Sequence, residues 1–515
     1  MSDREWNSLN EQEFEAMLES SVSELPPEEI VKEVTPWKKA VNRILTGMAL
    51  CTVTLRFGGL DLSTVLPAVG IVLLFLGFRA LRRENKWFQC CFITTVFRAA
   101  FFFFTVVLKT TILYSTALSP QITQALSVIG LPFLFAEILC LRNGLRTVQV
   151  KAGLPPRAGG AVALLVWYGL VCVLAAIQSG ELLLIMVIML VAYFFILRSL
   201  YLLSKELDEA GYAVQTSFLK IPDRLFVLFI GAALVLGCTF GYLLGGSYPM
   251  EWSVVEQSEH AEVADIKNNL LELGFPEYVL NDLAPEEIAA CEGALQVVVD
   301  VTDEPVNGGR RVSREGKEGD QSYTWFDTVY DVKELRLTGV AVQLPGERER
   351  WMIFHHFLWT VDPGFYGTES IQLWPTYRNV PEGWASAGEV TGRVLYDQDG
   401  ETLSAPYYFL GTQTFTSQSL FWGAQENTDV FAAFSMPAEG EHYRGYVAYP
   451  AAEAQDGYII TSWINYTHQK SWLQYPAVTA METRMANNRN DAGIFQTVQI
   501  AFQFYATDEG VEIIG

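Results

Sequence analysis

The side chains best suited to chemistry in this chain lie inside apolar segments. Arg98 and Lys109 are eleven residues apart in one segment, about three helical turns, so both should lie on the same side of a helix. Glu137 lies in the next apolar segment, at a depth where it can pair with Arg98. Ionisable groups deep in a membrane usually face the interior of a helix bundle. The pattern predicts either a polar site inside the bundle or a structural ion pair.

Three glycines mark the last apolar segment. Gly237, Gly241 and Gly245 are spaced by four residues and therefore share one helical face. Small residues on such a face allow a neighbouring helix to approach closely. The spacing predicts helix packing within the bundle. A dimer face, or a face that transmits movement from the domain that follows, is the alternative.

Tryptophans provide the candidate binding surface outside the apolar region. Trp384, Trp422 and Trp472 lie near turn-forming residues, whereas Trp351 and Trp359 belong to an almost continuous apolar run. Exposed tryptophans on a β-sheet domain can stack on sugar rings, and those in apolar runs are usually buried. We therefore expect the first three to be the binding candidates.

Sequence motifs for catalysis, cofactors and metals are missing. The sequence has no His-Glu-x-x-His, no Gly-x-Ser-x-Gly and no glycine loop that would bind phosphate. His355 and His356 are adjacent in a predicted strand and must point to opposite faces, so they cannot share a metal ion. Asp397 and Asp399 resemble part of a calcium loop, but a hairpin turn explains them. We predict no enzymatic activity, no cofactor and no metal site.

Apolar segments dominate residues 44–246 and position these side chains. They are Ile44–Leu60, Leu62–Leu81, Gln89–Leu118, Ile122–Leu141, Gly160–Ile177, Leu182–Ser204 and Leu225–Gly245. About 20 mostly apolar residues cross the hydrocarbon core as a helix. The sequence therefore predicts a polytopic α-helical membrane bundle of about seven helices. Few residues separate the first two segments, which leaves a re-entrant hairpin open.

Basic residues indicate the orientation of this bundle. Within residues 35–246, fifteen Lys and Arg residues lie just before the first segment or in and next to the connections after the second, fourth and sixth segments. The opposite connections contain only Arg56, at a segment end. Because Lys and Arg concentrate in cytoplasmic loops, we expect a cytoplasmic amino terminus. An odd number of crossings then places everything after Tyr248 outside the cell.

Charge divides the chain into compartments. The net charge of −23 combines −8 in residues 1–34, +10 in residues 35–246 and −25 in residues 247–515. An acidic exterior argues against nucleic acid as a partner, because phosphate recognition needs a basic surface. Only Cys291 lies outside the apolar segments, so no disulfide within the chain is expected there. The lack of an expected disulfide, together with the presence of only one glycosylation triplet, at Asn465, favours a bacterial cell surface over a eukaryotic secreted protein.

The exterior part begins with short helices and continues with strands. Helical periodicity over Ile266–Leu273 is followed by two short helices, and from Leu295 the apolar residues alternate along about ten strands. This pattern predicts a β-sandwich or jelly roll. The Gly-rich, charged stretch Val306–Asp320 suggests a mobile loop. The predicted domains are a cytosolic acidic helical prefix (1–36), a transmembrane domain (37–247), a juxtamembrane helical segment (248–293) and an exterior β-domain (294–515).

The sequence leaves more than one function open. We expect a cell-envelope protein whose exterior β-domain binds or senses a ligand, such as a glycan or peptide, and relays binding through the bundle. A cytosolic or membrane partner would dock on residues 1–34, since this prefix is too short for an output domain of its own. The alternatives are a transporter or transport accessory that uses Arg98, Lys109 and Glu137, and an envelope hydrolase with dispersed catalytic residues.

Overall fold

Two compact units make up the chain. The helical unit comprises Met1–Val107 and Pro120–Gly237, and the β unit comprises Leu108–Ser119 and Cys238–Gly515. The computed structural model describes residues 36–52, 56–57, 60–61, 63–114, 120–176, 183–211, 221–255, 261–306, 310–318, 321–329, 332–375, 384–386, 388–419, 423–453, 460–471, 474–486, 493–507 and 510–513. The acidic prefix 1–34 lies outside the described residues.

A helix overlaps each of the seven predicted apolar segments. In chain order these helices are α1 (Pro36–Thr52), α2 (Val65–Leu81), α3 (Lys86–Leu108), α4 (Pro120–Lys151), α5 (Gly159–Ala176), α6 (Leu183–Glu209) and α7 (Asp223–Gly245). The short strands β1 (Arg56–Phe57) and β2 (Leu60–Asp61) pair between α1 and α2. The last residue of α3 and the last two turns of α7 belong by their contacts to the β unit.

Three helices are long and apolar enough, by length and composition, to cross a membrane. Among the described residues these are Lys86–Leu108, Ile185–Glu209 and Asp223–Gly245, while α2 and α5 are apolar but shorter. The predicted count of seven crossings is therefore not supported. α1 is only 17 residues long and contains Lys38, Lys39 and Arg43.

The third apolar segment is shorter as a helix than the sequence predicts. Helix α3 ends at Leu108 and not at Leu118, and a single turn of 3-10 helix follows at Ile112–Tyr114. The break coincides with the polar residues Lys109, Thr110 and Thr111. The Thr111 hydroxyl donates a hydrogen bond to Leu108 O at 2.8 Å and so satisfies a carbonyl at the helix end.

Close backbone contact and half-buried ion pairs hold the helical unit together. A Cβ placed on Gly47 of α1 would lie 2.6 Å from Gly70 O of α2, so these two helices touch through their glycines. At the start of α7, Asp223 accepts hydrogen bonds from Arg43 at 2.8 Å and from Arg79 at 3.4 Å. These ion pairs tie α1 and α2 to α7.

The β unit is built on two antiparallel sheets. The strands are β3 (Ser253–Val254), β4 (Gln296–Glu304), β5 (Arg310–Glu318), β6 (Gln321–Val329), β7 (Leu335–Leu344), β8 (Arg350–Trp359), β9 (Glu369–Pro375), β10 (Trp384–Ser386), β11 (Thr391–Gln398), β12 (Glu401–Pro406), β13 (Phe409–Ser419), β14 (Gly423–Phe434), β15 (Glu441–Glu453), β16 (Ile460–Gln469), β17 (Phe495–Thr507) and β18 (Gly510–Ile513). One sheet has the order β3-β12-β11-β15-β8-β7-β4, with β10 also paired to β15, and the other has the order β13-β14-β9-β16-β17-β18.

Aromatic side chains from both sheets meet in a buried core, which makes the unit a β-sandwich. Phe357 of the eight-stranded sheet contacts Phe434 and Tyr466 of the six-stranded sheet, with ring centroids 5.3 and 5.1 Å apart. Trp351 and Phe504 meet in the same way at 4.9 Å. Alternating residues along each strand supply this core, as half-buried strands require.

Short helices cover the other face of the eight-stranded sheet. They are α8 (Ala261–Glu272), α9 (Glu277–Leu280) and α10 (Pro285–Ala289). Phe275 packs on Phe354 with ring centroids 5.7 Å apart, and Asp282 binds both His356 and Arg444, at 2.9 and 2.8 Å. The central strands of this sheet are consequently buried on both faces. This explains why the sequence of β8 is almost continuously apolar.

The predicted mobile loop at Val306–Asp320 is wrong for most of its length. Residues Arg310–Glu318 form β5, which pairs along its whole length with β6 in a separate two-stranded ribbon. Charge and glycine suggested a loop, but Gly316 lies beneath the rings of Tyr323 and Trp325, where a Cβ would come within 2.9 and 2.7 Å of them. Aromatic residues across from a glycine can compensate for its missing side chain in a strand.

The sandwich core can be tested with two phenylalanines of opposite burial. Phe502 is 1% exposed and packs against Gly339 and Phe504, so Phe502→Ala should cost about 3–5 kcal/mol of folding free energy. Phe326→Ala is the matched control because this ring is 59% exposed, and it should change stability by about 0.5 kcal/mol or less. Thermal unfolding of the detergent-solubilised chain measures both. Similar melting temperatures for the two variants would contradict the core assignment.

Candidate functional site

The ion pair expected inside the helical unit is present. Arg98 Nη1 lies 2.9 Å from Glu137 Oε2, and the two residues are 9% and 0% exposed. Arg98 also approaches Cys51 Sγ at 3.8 Å. Glu137 Oε1 is buried and has no hydrogen-bond partner within the described part of the chain. The geometry fits a structural ion pair in which Glu137 Oε1 accepts no hydrogen bond from the described residues. A functional role for the pair stays a prediction.

Lys109 does not share the helix of that pair. It follows the last residue of α3 and belongs to the β unit. Its ammonium group lies 5.5 Å from the centre of the Tyr114 ring, a cation–π distance. Its carbonyl oxygen accepts a hydrogen bond from Ala477 N at 2.8 Å. Lys109 thus joins the end of a helix to the β unit.

Two of the three spaced glycines of α7 contact the end of α3 or the turn after it. In the helical unit, a Cβ on Gly237 would lie 3.0 Å from Val107. In the β unit, a Cβ on Gly245 would lie 2.6 Å from Thr111. Gly241 is buried. Gly237 and Gly245 therefore pack against residues of this chain, and the role of the face stays a prediction.

Of the three candidate binding tryptophans, the structure describes the backbone of Trp384 alone. Trp422 and Trp472 lie outside the described residues. Trp384 begins β10, and its backbone pairs with Glu453 at the end of β15. A binding role for these three residues stays a prediction.

The ends of α3 and α7 are both held by the β unit. Tyr242 OH in the last turns of α7 donates a hydrogen bond to Gln474 O, and Tyr248 N donates to Ser435 Oγ at 2.9 Å. After α3, Lys109 O accepts from Ala477 N. We call the part of the β unit that receives these helix ends the socket; it consists of Ala433, Ser435, Gln474, Ala477 and Met481.

Apolar contacts seal the socket. Ile112, Tyr248 and Ala433 form one buried cluster, against which Met481 packs. Tyr248 also stacks on Tyr408, with ring centroids 4.7 Å apart. Burial of two large side chains from the helix ends contributes on the order of 1.5–3 kcal/mol each. The segments after both helices are thus part of the core of the β unit.

A small cavity lies beside the socket. Its volume is about 80 Å³. Residues from the helix ends line one side, among them Thr110 and Tyr242, and residues of the β unit such as Tyr366 and Gln469 line the other. Six of the thirteen lining residues carry a hydroxyl or amide side chain, so the cavity suits water or a small neutral polar group.

A polar cluster lies on the outer face of the six-stranded sheet, next to the socket. Gln372 Oε1 accepts hydrogen bonds from Asn465 Nδ2 at 3.1 Å and Arg484 Nε at 2.6 Å, while Gln372 Nε2 donates to Asp429 Oδ2 at 2.7 Å. Helix α11 (Ala480–Met485) supplies Arg484. We call these four residues the polar cluster. All but Arg484 are at least 96% buried.

The same helix is fixed to the sheet through its first turn. Ala480 N donates to Thr368 Oγ1 at 2.9 Å, and Thr479 and Glu482 form a capping box. Thr368 in turn donates to Gln469 Oε1 at 2.8 Å. Helix α11 is therefore bonded directly to Gln372 of β9 and to Thr368, and through these two residues to β14 and β16. Met481 of α11 packs against the helix ends.

Sequence reasoning missed the polar cluster. Polar residues alternate with apolar ones in β9 and β16, for example Gln372 beside Ile371 and Asn465 beside Ile464. Such alternation normally marks a solvent-exposed face, so the residues were not expected to be buried. Asn465, which begins the single glycosylation-type triplet of the sequence, is 0% exposed and cannot accept a glycan in this fold.

Buried titratable groups lie at two sites inside the sandwich. His468 Nδ1 is 2.7 Å from Glu369 Oε1, both residues are 0% exposed, and burial raises the pKa of Glu369. His355 Nε2 contacts Ser462 Oγ at 2.5 Å, and burial lowers the pKa of His355 to about 3. A substrate could reach neither site without opening of the sandwich, so they offer no support to the hydrolase alternative.

Adjacent His355 and His356 face opposite layers, as the strand alternation predicts. His355 contacts the six-stranded sheet through Ser462, and His356 contacts the helical lead-in through Asp282. Groups of three or more His, Cys, Asp or Glu residues that could hold a metal ion do not occur among the described residues.

Comparison of the sequence with protein-family models and with curated proteins finds no match. The class that the structure defines is a protein with apolar helices of membrane-spanning length joined to an antiparallel β-sandwich. Its function has to be argued from the geometry of the chain itself.

Because His355 is buried in its neutral form, folding stability should depend on pH. Because the folded-state pKa is lower than the ordinary value of 6.5, only the unfolded chain takes up the proton between about pH 6.5 and pH 3. The contribution of neutral His355 to folding stability is complete above pH 6.5 and is lost as the pH falls below that value. The equilibrium constant for folding then decreases by up to about tenfold for each pH unit. Thermal unfolding from pH 7 to pH 5 should show a shallower decline for His355→Gln than for wild type. His442→Gln, with an exposed side chain, should keep the wild-type decline.

A double-mutant cycle tests the ion pair of the helical unit. Arg98→Met or Glu137→Gln alone should destabilise the helical unit by about 3–5 kcal/mol, because either change leaves one buried polar partner uncompensated. The double variant should recover much of that loss. Thermal unfolding in detergent, followed by circular dichroism at helical wavelengths, measures the cycle. Additive losses would show that the two groups do not act as a pair.

Proposed function

We propose that this protein is a membrane receptor whose β unit binds a ligand outside the cell and transmits binding to the apolar helices α3 and α7. One observation carries the proposal: the ends of both helices are built into the socket of the β unit. A domain that served only as a tethered binding module would need one flexible connection. Two helix ends that are hydrogen-bonded and packed in the socket would instead transmit a displacement of the strands to both helices.

The polar cluster supports a route for that shift. Gln372, Asp429 and Asn465 belong to neighbouring strands, and Arg484 belongs to the helix that packs on the helix ends. A ligand that changed the spacing of β9, β14 and β16 would change these hydrogen bonds. α11 and the socket would then move with the strands. Coupling of this kind needs a differential binding free energy of about 1–3 kcal/mol.

Membrane placement is the second part of the proposal. The charge bias of the connections supports a cytoplasmic amino terminus and an exterior β unit, in a cell membrane. α3, α6 and α7 would cross it, and α1, α2, α4 and α5 would complete a bundle of seven. The acidic prefix 1–34 would then be available to a cytosolic partner, and the exterior ligand would be a glycan or peptide, bound near Trp384, Trp422 or Trp472.

Transport is the second candidate function. Glu137 Oε1 favours it, because a buried carboxylate oxygen without a partner among the described residues can take up a proton or another cation. Under this alternative, Glu137→Gln would abolish function, and loosening the socket would leave function intact. Under the receptor proposal, the socket is required.

The receptor proposal is tested with the full chain in lipid nanodiscs. A panel of wall-glycan fragments, peptides and divalent cations is screened by thermal shift. Hydrogen exchange is then measured at the opposite ends of α3 and α7, near Lys86 and Asp223. We expect a ligand that raises the melting temperature also to change exchange at both of those ends. Ligand binding without any such change would contradict the relay.

Socket variants provide the controls. Tyr242→Phe removes the hydrogen bond to Gln474 O, and Tyr248→Ala removes the stacked ring from the socket. Both should keep the ligand-dependent thermal shift and lose most of the exchange change at the distant helix ends. Tyr278→Phe is the matched control, because it removes one hydrogen bond of 2.8 Å, to Thr338, away from the socket. It should behave as wild type in both measurements.

A further inference from the structure

Three cysteines lie close together where α3 packs against α4. Helix α3 supplies Cys90 and Cys91, and helix α4 supplies Cys140. The Cys140 thiol is within hydrogen-bonding reach of the thiols of both Cys90 and Cys91. Cys91 Sγ also donates to Glu137 O at 3.5 Å, and Glu137 lies three residues before Cys140, on the same side of α4. Sulfur atoms from two helices therefore meet at one level of the helical unit.

Contacts on either side of the cysteines hold the two helices in register. Nearer the start of α3, Phe88 packs on Gly144, where a Cβ would lie 3.0 Å from the ring. Further along α3, Arg98 pairs with Glu137 at 2.9 Å. The helices are therefore antiparallel, and Cys140 lies between the two contacts. Small residues such as Gly144 allow close approach of helices, which suits a disulfide because its Cα atoms must lie about 4.4–6.8 Å apart.

Access from outside the helical unit differs among the three thiols. Cys91 is 0% exposed, and its thiol already donates to a backbone carbonyl. Cys90 is exposed and Cys140 is partly exposed. A small oxidant can therefore reach Cys90 and Cys140 but not Cys91. An accessible cysteine beside a second thiol that can resolve its oxidised form is the usual arrangement of redox-sensing cysteines.

We propose that Cys90 and Cys140 form a reversible disulfide when the chain meets a hydroperoxide. The bond would tie α3 to α4 beside the Arg98–Glu137 ion pair and make this contact a site of oxidative modification. Neither the receptor proposal nor the transport alternative assigns a role to these thiols, and the inference depends on neither.

The reaction needs no reactant besides the hydroperoxide. The sulfur of Cys90 attacks the peroxide, the O–O bond breaks, and Cys90 becomes a sulfenic acid while an alcohol leaves with the remaining oxygen. The sulfur of Cys140 then attacks the sulfur of Cys90 and forms the S–S bond. The sulfenic oxygen leaves as water together with the proton of the Cys140 thiol. Two thiols are thus oxidised by two electrons, and an external thiol can reverse the change by exchange.

Thiol counting in the full chain tests the disulfide. The reduced chain in lipid nanodiscs is treated with cumene hydroperoxide, which dissolves in lipid and in water, and is then denatured and labelled with polyethylene-glycol maleimide. We expect all seven cysteines to be labelled before oxidation, two fewer afterwards, and all seven again after dithiothreitol. An unchanged label count, a loss that dithiothreitol does not reverse, or a disulfide between two copies of the chain would overturn the proposal.

Serine variants assign the bond. Cys90→Ser and Cys140→Ser should no longer lose a reversible pair of labels. Cys172→Ser is the matched control, because Cys172 is partly exposed like Cys140 but lies on α5, and it should still lose two. Cys91→Ser should also lose two. If instead Cys91→Ser prevents the loss and Cys90→Ser does not, the assignment to Cys90 is wrong.

Peptide mapping of the unsubstituted chain gives the same answer without relying on any variant to fold. After oxidation and digestion without reductant, the peptide that contains Cys140 should be joined to the peptide that contains Cys90 and Cys91. Fragmentation between these two adjacent cysteines in the mass spectrometer should place the bond on Cys90. Oxidised peptides that are not joined to each other would overturn the proposal.

Discussion

The ends of α3 and α7 impose the constraint on which the rest of the β unit depends. A helix that ends leaves its last carbonyl groups without partners, and an apolar helix also ends with side chains that water does not solvate well. Here the β unit supplies both kinds of partner: an amide N–H for Lys109 O, a carbonyl for the Tyr242 hydroxyl, and an apolar cluster for Ile112 and Tyr248. The part of the outer face of the six-stranded sheet around Gln372, Asp429 and Asn465 is consequently an interior surface. Polar residues on it must satisfy one another, which is what Gln372, Asp429 and Asn465 do.

The same reasoning explains the layered construction. The eight-stranded sheet is buried by the six-stranded sheet on one face and by α8–α10 on the other, and the six-stranded sheet is covered in part by α11 and the helix ends. An eight-stranded sheet buried on both faces and packed on a second sheet gives a stiff frame, since core packing transmits small displacements instead of absorbing them. The β5–β6 ribbon stands apart from this frame as a separate sheet, which is why its aromatic rings remain exposed.

Much of this architecture can be predicted from local sequence patterns, and the exceptions share a physical cause. Hydropathy locates the helices, strand alternation locates most of the strands, and counting turns from the ends of two segments brings Arg98 to Glu137. Three features depend on tertiary contacts that no local pattern encodes. The outer face of β9 and β16 has the alternation of an exposed sheet but is buried by segments distant in sequence. The charged glycine-rich stretch after Val306 becomes a strand because Tyr323 and Trp325 cover Gly316. The third apolar segment ends early because polar residues after Leu108 join the β unit.

A buried polar cluster is better suited than an apolar core to the relay we propose. An apolar core has one close-packed arrangement, and displacement from it opens cavities. Hydrogen-bonded side chains can instead exchange partners, so two arrangements can have similar free energies if each satisfies the buried groups. Here Asn465 Oδ1 and Ser370 Oγ are buried without hydrogen-bond partners among the described residues, which leaves an acceptor and a hydroxyl open for a second arrangement. A ligand that favoured that arrangement would shift β9 against β16, and α11 would follow through Gln372 and Arg484. The energy needed is that of one or two hydrogen bonds, within the differential binding energy a ligand can supply.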